Sequence, residues 1–383
     1  MIAVDNLISR FLQLGSGGCK AMHGDVLVSA SPEEAGLRTD YIEAAYALIE
    51  RWCSEQRIPG AVLAIGHKGY LVGPKAFGFA RLEPDREEMR PDTIFDLASV
   101  TKVVATAPCV LALLERGMLW LNDSVRRYIP EAKVEATIGQ LLTHTSGLPA
   151  ASLYRSADPL QALWDLEPTL PPGKEVIYSC PGYIMLGEIV ERISGRSLNE
   201  LAKELLFDPL GMHDTQYTPP TSKLSRVAPT EFNAELGTHL HGVVHDNNCR
   251  SLGGVCGNAG LFGTAGDLAV FCQMWLNKGS YGGQQVLSEA VIEVATRNYT
   301  RGMSQPRGLG WQLKADYAES AAGDLFSPES YGHTGFTGTC VWIDPTRELF
   351  LVLLTNRVHL RHSTESKIRL RPLVANLVAA AVG

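Results

Sequence analysis

Ser99-Val100-Thr101-Lys102 decides the reading of this chain. It is the only Ser-x-x-Lys in the sequence, and the apolar run behind it, to Glu115, reads as a helix. Helical spacing from Thr101 onward sets Ser99 at the N-terminus and Lys102 one turn on, with both side chains on one face. A serine hydroxyl needs a neighbouring base to become a nucleophile. A lysine serves as that base when burial or nearby positive charge lowers its pKa. A helix N-terminus adds free N–H groups and partial positive charge, where a developing oxyanion is welcome. The same four letters also describe an N-cap serine followed by a surface lysine, so the rest of the chain has to choose between the readings.

At 383 residues and 45% hydrophobic content, the chain can bury a large core as two lobes or one large α/β unit. A formal charge of −7 and a pI near 5.8 offer no basic face to nucleic acid or anionic lipid, and no stretch reads as long enough for a membrane helix. Neither nucleic acid nor membrane is expected as a partner. Asp5 and Arg10 interrupt the first apolar run, so no secretory signal is read, and Leu14 to Cys19 reads as a loop, not a lipoprotein cleavage site. Eight cysteines without a C-x-x-C pair are expected to be reduced, buried thiols of a cytoplasmic protein.

Helical periodicity runs from Asp40 to Gln56, through Ile42, Ala45, Leu48, Ile49 and Trp52. Gly60–Ile65 and Tyr70–Ala80 read as strands of a hairpin turning at His67-Lys68-Gly69. From Ser99 to Lys278 the chain is helical and loop-rich, clearest over Val103–Arg116, Ile138–Leu142, Tyr183–Ile193 and Leu198–Leu206. A helix over Ser288–Ala295 precedes a second hairpin, Thr339–Ile343 and Leu349–Thr355, and an apolar helix over Leu373–Val382. The predicted fold class is α/β in the α+β sense: an antiparallel sheet flanked by helices with an inserted, mostly helical subdomain. The sheet-containing part spans about 25–98 and 285–383, the helical part about 99–284, and 1–383 forms one catalytic unit.

Two further motifs follow the serine in order. Tyr178-Ser179-Cys180 comes after the turn-rich Leu170-Pro171-Pro172-Gly173-Lys174-Glu175, and His333-Thr334-Gly335 precedes a strand. With Ile94–Ala98, Gln140–Leu148 and Gly260–Leu268, this order resembles the class C β-lactamase-like serine hydrolases. That group includes penicillin-binding proteins, D-aminopeptidases, family VIII esterases and muramyl-peptide amidases. The resemblance covers roughly Gly60 to Asn356 and implies a β-lactamase/transpeptidase-like fold. It also implies that Ser99 is acylated, that Lys102 and Tyr178 share proton transfer, and that the N–H groups of Ser99 and Phe336 form the oxyanion hole. His333, Thr334, Gly335, Cys180 and His245 are its implied substrate-binding residues.

Two positions depart from the pattern. His333 stands where lysine is common, and neutral histidine is a poor electrostatic clamp near pH 7. This favours a neutral acyl substrate. Cys180 stands where asparagine is common, and a thiol is a weaker donor that offers no amide oxygen, which argues against efficient β-lactam hydrolysis. It reads as a pocket-lining residue, since no adjacent histidine activates it as a nucleophile. Asn258 stands where histidine is frequent in the muramyl-peptide amidases, whose Val-His-Asp stretch matches Val244-His245-Asp246.

His239, His241 and His245 lack a recognised zinc spacing, so no metal and no cofactor are expected. His144 and Ser146 read as a structural turn, and no G-x-S-x-G elbow occurs. The expected activity is hydrolysis of a small ester, amide or muramyl peptide through an acyl-enzyme. The alternatives are a β-lactamase or D,D-carboxypeptidase, an acyltransferase, and a non-catalytic ligand-binding module. Oligomeric state is not read from the sequence.

Overall fold

The computed structural model describes residues 26–315, 320–359 and 369–383; Leu14–Cys19 lies outside them. A mixed sheet forms the frame. Its principal strands are β1 Val28–Ser29, β2 Gly60–His67, β3 Tyr70–Arg81, β4 Gln312–Leu313, β5 Tyr331–Thr334, β6 Cys340–Asp344 and β7 Leu349–Thr355, in the order β1-β3-β2-β7-β6-β5-β4. All these neighbours are antiparallel except β1 with β3. The β2–β3 hairpin closes with His67 opposite Tyr70. Lys68 and Gly69 both have positive φ, at 50° and 82°, the geometry that matches the twist of a two-residue hairpin.

The central strands are buried on both faces, which explains their unbroken apolar runs. Alternate residues serve different cores. Ala61, Leu63, Ile65, Trp342, Leu351 and Leu353 pack with helix α1, Thr39–Ser54, and the C-terminal helix Leu370–Ala380. Val62, Ala64, Val341, Ile343, Val352 and Leu354 share the other core with the helical part. The helix Ala265–Leu276 falls within the stretch read as helical subdomain, yet it packs directly against β2, β6 and β7.

The segment Ala98–Glu115 is one continuous helix, α2, made of a 3-10 turn at Ala98–Val100, a π-helical turn at Lys102–Thr106 and α-helix from Ala107 to Glu115. Pro108 lacks an N–H, and the widened turn lies just ahead of it. Contrary to the expectation that no stretch is long enough to cross a membrane, Ala98–Glu115 is long and apolar enough by composition; 83% of it is buried inside the fold, as in the core helix of a folded domain. Helix α3, Cys180–Ser194, starts at the Ser179 cap, whose hydroxyl accepts from the Gly182 N–H at 3.2 Å, and ends at Gly195 with φ 70°. These two caps fix its length and leave Tyr178 on the approach to its N-terminus. Two further long helices are α4, Ala265–Leu276, and α5, Leu370–Ala380.

Candidate active site

Ser99 sits on a constrained turn. Ala98 has φ 47°, unfavourable for a residue with a Cβ. Buried Asp96 holds it there by accepting the Ala98 N–H at 2.8 Å, while Leu97 N–H donates to Leu261 O at 2.9 Å. Ser99 is half-buried and Lys102 fully buried. The Lys102 Nζ donates to Ser99 Oγ at 3.0 Å, to Asn258 O at 2.9 Å and, more loosely, to Cys180 Sγ at 3.6 Å.

Three acceptors for three protons describe a satisfied ammonium. Burial works against that charge, but the acidic groups of Cys180 and Tyr178 outweigh it and raise the lysine pKa above its ordinary value. The sequence-based requirement of a lowered lysine pKa is therefore not met. Lys102 is a fixed cation, and a proton acceptor must be sought beside it.

Tyr178 is that neighbour, with its ring centroid 5.0 Å from Lys102 Nζ. It packs against the buried His144 at 4.4 Å between centroids, and the His333 ring lies 6.1 Å away. Both histidines are kept neutral chiefly by burial, which pushes their pKa values well below the usual 6.5; nearby Lys102 and Arg307 act in the same direction. His144 Nδ1 accepts the Ser179 N–H at 3.1 Å, and His333 Nδ1–H donates to Thr334 O at 2.8 Å. His333 therefore carries no fixed charge, in line with its reading from the sequence.

A charge is nevertheless present nearby. The Arg307 guanidinium, from the loop before β4, lies 5.7 Å from the Tyr178 ring centroid and is 5% exposed. From sequence, an arginine within Gln305-Pro306-Arg307-Gly308 reads as a solvated turn residue, so this one does not stand out there.

The loop after β5 lies against the Ser99 turn. Thr337 Oγ1 donates to Asp96 O at 2.7 Å and Thr339 Oγ1 to Leu97 O at 2.9 Å. Gly335 permits this approach, since a Cβ there would stand 2.5 Å from Leu97 O. The loop closes through Gly335 N–H to Thr339 O and Gly338 N–H to Gly335 O, bonds that do not use the Phe336 N–H. Arg371 Nη2 donates to Gly335 O at 2.6 Å and Thr339 O at 2.9 Å, and Arg357 Nε to Phe336 O at 2.9 Å. Thr334 is half-buried beside this loop, and the Phe336 side chain is exposed.

His245 joins the same rim. Its ring stacks on Phe336 at 5.4 Å, its Nε2 meets Glu231 Oε2 at 2.7 Å, and its N–H donates to Asp96 Oδ2 at 2.7 Å. His239 and His241 do not converge on it. His239 Nδ1–H donates to Thr230 O, and His241 Nε2–H to Leu224 O and Val227 O. No group of three or more potential metal ligands occurs among the described residues. Asn258 is buried behind Lys102 and donates through Nδ2 to Asp246 Oδ1 at 3.1 Å.

The sequence profile of the Beta-lactamase family matches residues 22–376. The chain belongs to that family and is a hydrolase of the β-lactamase superfamily. A protein of Escherichia coli K12 named "Putative D-alanyl-D-alanine carboxypeptidase" is 32% identical, over 87% of this chain and 86% of that one. Among solved structures, a class C β-lactamase from Rhodobacter sphaeroides has TM-score 0.70 and 22% identity over 89% of this chain and 100% of that one. EstCE1, a hydrolase with promiscuous acyltransferase activity, has TM-score 0.70 and 20% identity over 89% and 99%. These neighbours share the β-lactamase/transpeptidase fold with the chain.

Proposed function

We propose that the protein is a serine hydrolase that forms an acyl-enzyme at Ser99 with a small ester or amide, of the carboxylesterase or cell-wall-peptide amidase type. The observation that carries this reading is the 3.0 Å hydrogen bond from the Lys102 ammonium to Ser99 Oγ. With that lone pair engaged, the serine proton goes to another acceptor, which we assign as Tyr178. The Ser99 and Phe336 N–H groups then stabilise the oxyanion, and Thr334, Gly335, Cys180, His333 and His245 border the substrate. The free thiols among the described residues support a reducing, cytoplasmic setting.

The name of the Escherichia coli relative favours a second reading, D-alanyl-D-alanine carboxypeptidase activity through the same acyl-serine. One experiment addresses both. Wild type and Ser99→Ala are exposed to a fluorophosphonate, p-nitrophenyl butyrate, a D-alanyl-D-alanine peptide and penicillin, with peptide mapping by mass spectrometry. The expected result is a single adduct on Ser99 and ester turnover, both absent from the variant. Release of D-alanine without ester turnover selects the second reading, and an adduct elsewhere rejects both.

A further inference from the structure

Arg307 is a buried cation without a buried anion. Its Nη2 donates to Gln305 Oε1 at 2.7 Å and its backbone N–H to Thr300 Oγ1 at 2.8 Å, while its Nε is buried and unpartnered. Among the described residues no carboxylate pairs with it. An uncompensated buried charge is expensive, so a fold that keeps one gains from an anion held beside it.

The groups facing Tyr178 identify that anion. Lys102 from α2 and Arg307 from the pre-β4 loop are the cations beside its ring, at 5.0 and 5.7 Å. His144 and His333 flank it as neutral rings whose tautomers are set by Ser179 N–H and Thr334 O. Tyr183 spends its hydroxyl on Leu142 O at 2.8 Å. Cys180 lies on the Lys102 ammonium, and Asp246 reaches that ammonium only through space. Tyr178 is thus the acidic side chain whose ring lies within 6 Å of both cations.

We propose that Arg307 is a positioning residue for Tyr178, holding beside its ring the fixed positive charge that favours the phenolate and that His333 does not carry. The proposal rests on the acyl-enzyme reading. The phenolate oxygen takes the Ser99 proton as the Oγ–carbonyl bond forms and the carbonyl π pair moves onto oxygen. As that pair returns and the bond to the leaving group breaks, the phenol gives the proton to the departing oxygen or nitrogen and becomes phenolate again.

The test is the pH profile of kcat/KM for p-nitrophenyl butyrate in wild type, Arg307→Lys and Arg307→Met, with Ser99 labelling by a fluorophosphonate as the control for an assembled site. Losing the charge moves the acidic limb of Arg307→Met to higher pH by about one unit, a roughly tenfold loss on that limb that recovers in alkali. Arg307→Lys keeps the wild-type limb. Arg307→Gln, also neutral, gives the same comparison should the methionine variant not fold.

A uniform loss with the limb unmoved overturns the proposal in favour of packing. A loss seen with 3-carboxyphenyl butyrate but not with phenyl butyrate overturns it in favour of an anchor for a substrate carboxylate. Absence of both turnover and Ser99 labelling in wild type removes the acyl-enzyme reading, and this proposal with it.

Discussion

Lys102 is a buried charge that its surroundings stabilise, since they raise its pKa above the ordinary value. It is fully buried, and the acceptors on its ammonium are a hydroxyl, a carbonyl and a thiol, none of them a carboxylate. Replacing it with methionine, of similar length, leaves Asn258 O and Ser99 Oγ without this donor, and a buried acceptor left unsatisfied costs about 1–3 kcal/mol. Lys102→Met is therefore expected to lower Tm modestly while kcat falls by about a thousandfold, within the range of lost electrostatic stabilisation. An unfolded variant at room temperature would show that the lysine is chiefly structural. Ala98 makes a related case at its φ of 47°. Relief of about 1–2 kcal/mol of left-handed strain in Ala98→Gly is partly offset by about 0.5–1 kcal/mol of added chain entropy. A net gain of about half a kcal/mol in urea denaturation is expected, with a lower kcat because the nucleophile turn is freer.

The loop after β5 is the element on which the proposed oxyanion hole depends. A Cβ at Gly335 meets Leu97 O at 2.5 Å and Ala98 Cβ at 3.3 Å, so Gly335→Ala forces the loop from the Ser99 turn. A fall of about a hundredfold or more in kcat is expected, the scale of losing one oxyanion donor, and unchanged kcat would detach the loop from catalysis. Elements of this kind divide what the sequence revealed from what it hid. The β2–β3 hairpin was legible because Lys68-Gly69 is a local signal between apolar runs, and α2 because its pattern extends over several turns. β5 has four residues and Phe95–Asp96 has two, too short for a period to register. Their places are set by partners far along the chain, such as Leu261–Gly263 for Phe95–Asp96. At the site, Ser99, Lys102, Tyr178 and the 333–335 strand stood out through motif order. Arg307 and His144 did not, since only tertiary packing brings a turn arginine and a loop histidine to the tyrosine.

Across the whole molecule, buried neutral histidines tie stability to pH. Burial chiefly pushes His359 down to about 4, and His144 and His333 well below 6.5. In the unfolded chain they titrate near 6.5, so below that pH the unfolded state binds more protons. Stability then falls as the pH drops from 6.5 towards 4, by up to about 1.4 kcal/mol per pH unit for each such histidine. Buried Asp96 and Asp267, whose pKa values burial raises, oppose part of this. Urea midpoints are expected to be lower at pH 5 than at pH 7, and equal midpoints would mean that the imidazoles are hydrated or already charged. The same sheet also orders events in time. β2 pairs with β7, Ala61 opposite Thr355, and Arg371, in the C-terminal helix, fastens the loop beside Ser99. A growing chain therefore carries Ser99 through the ribosome long before the residues that pack around it emerge. Premature termination ahead of residue 371 would leave a polypeptide that carries Ser99, Lys102 and Tyr178 but lacks the arginine that fastens the loop beside them, so a truncation sparing every motif still unfastens the site.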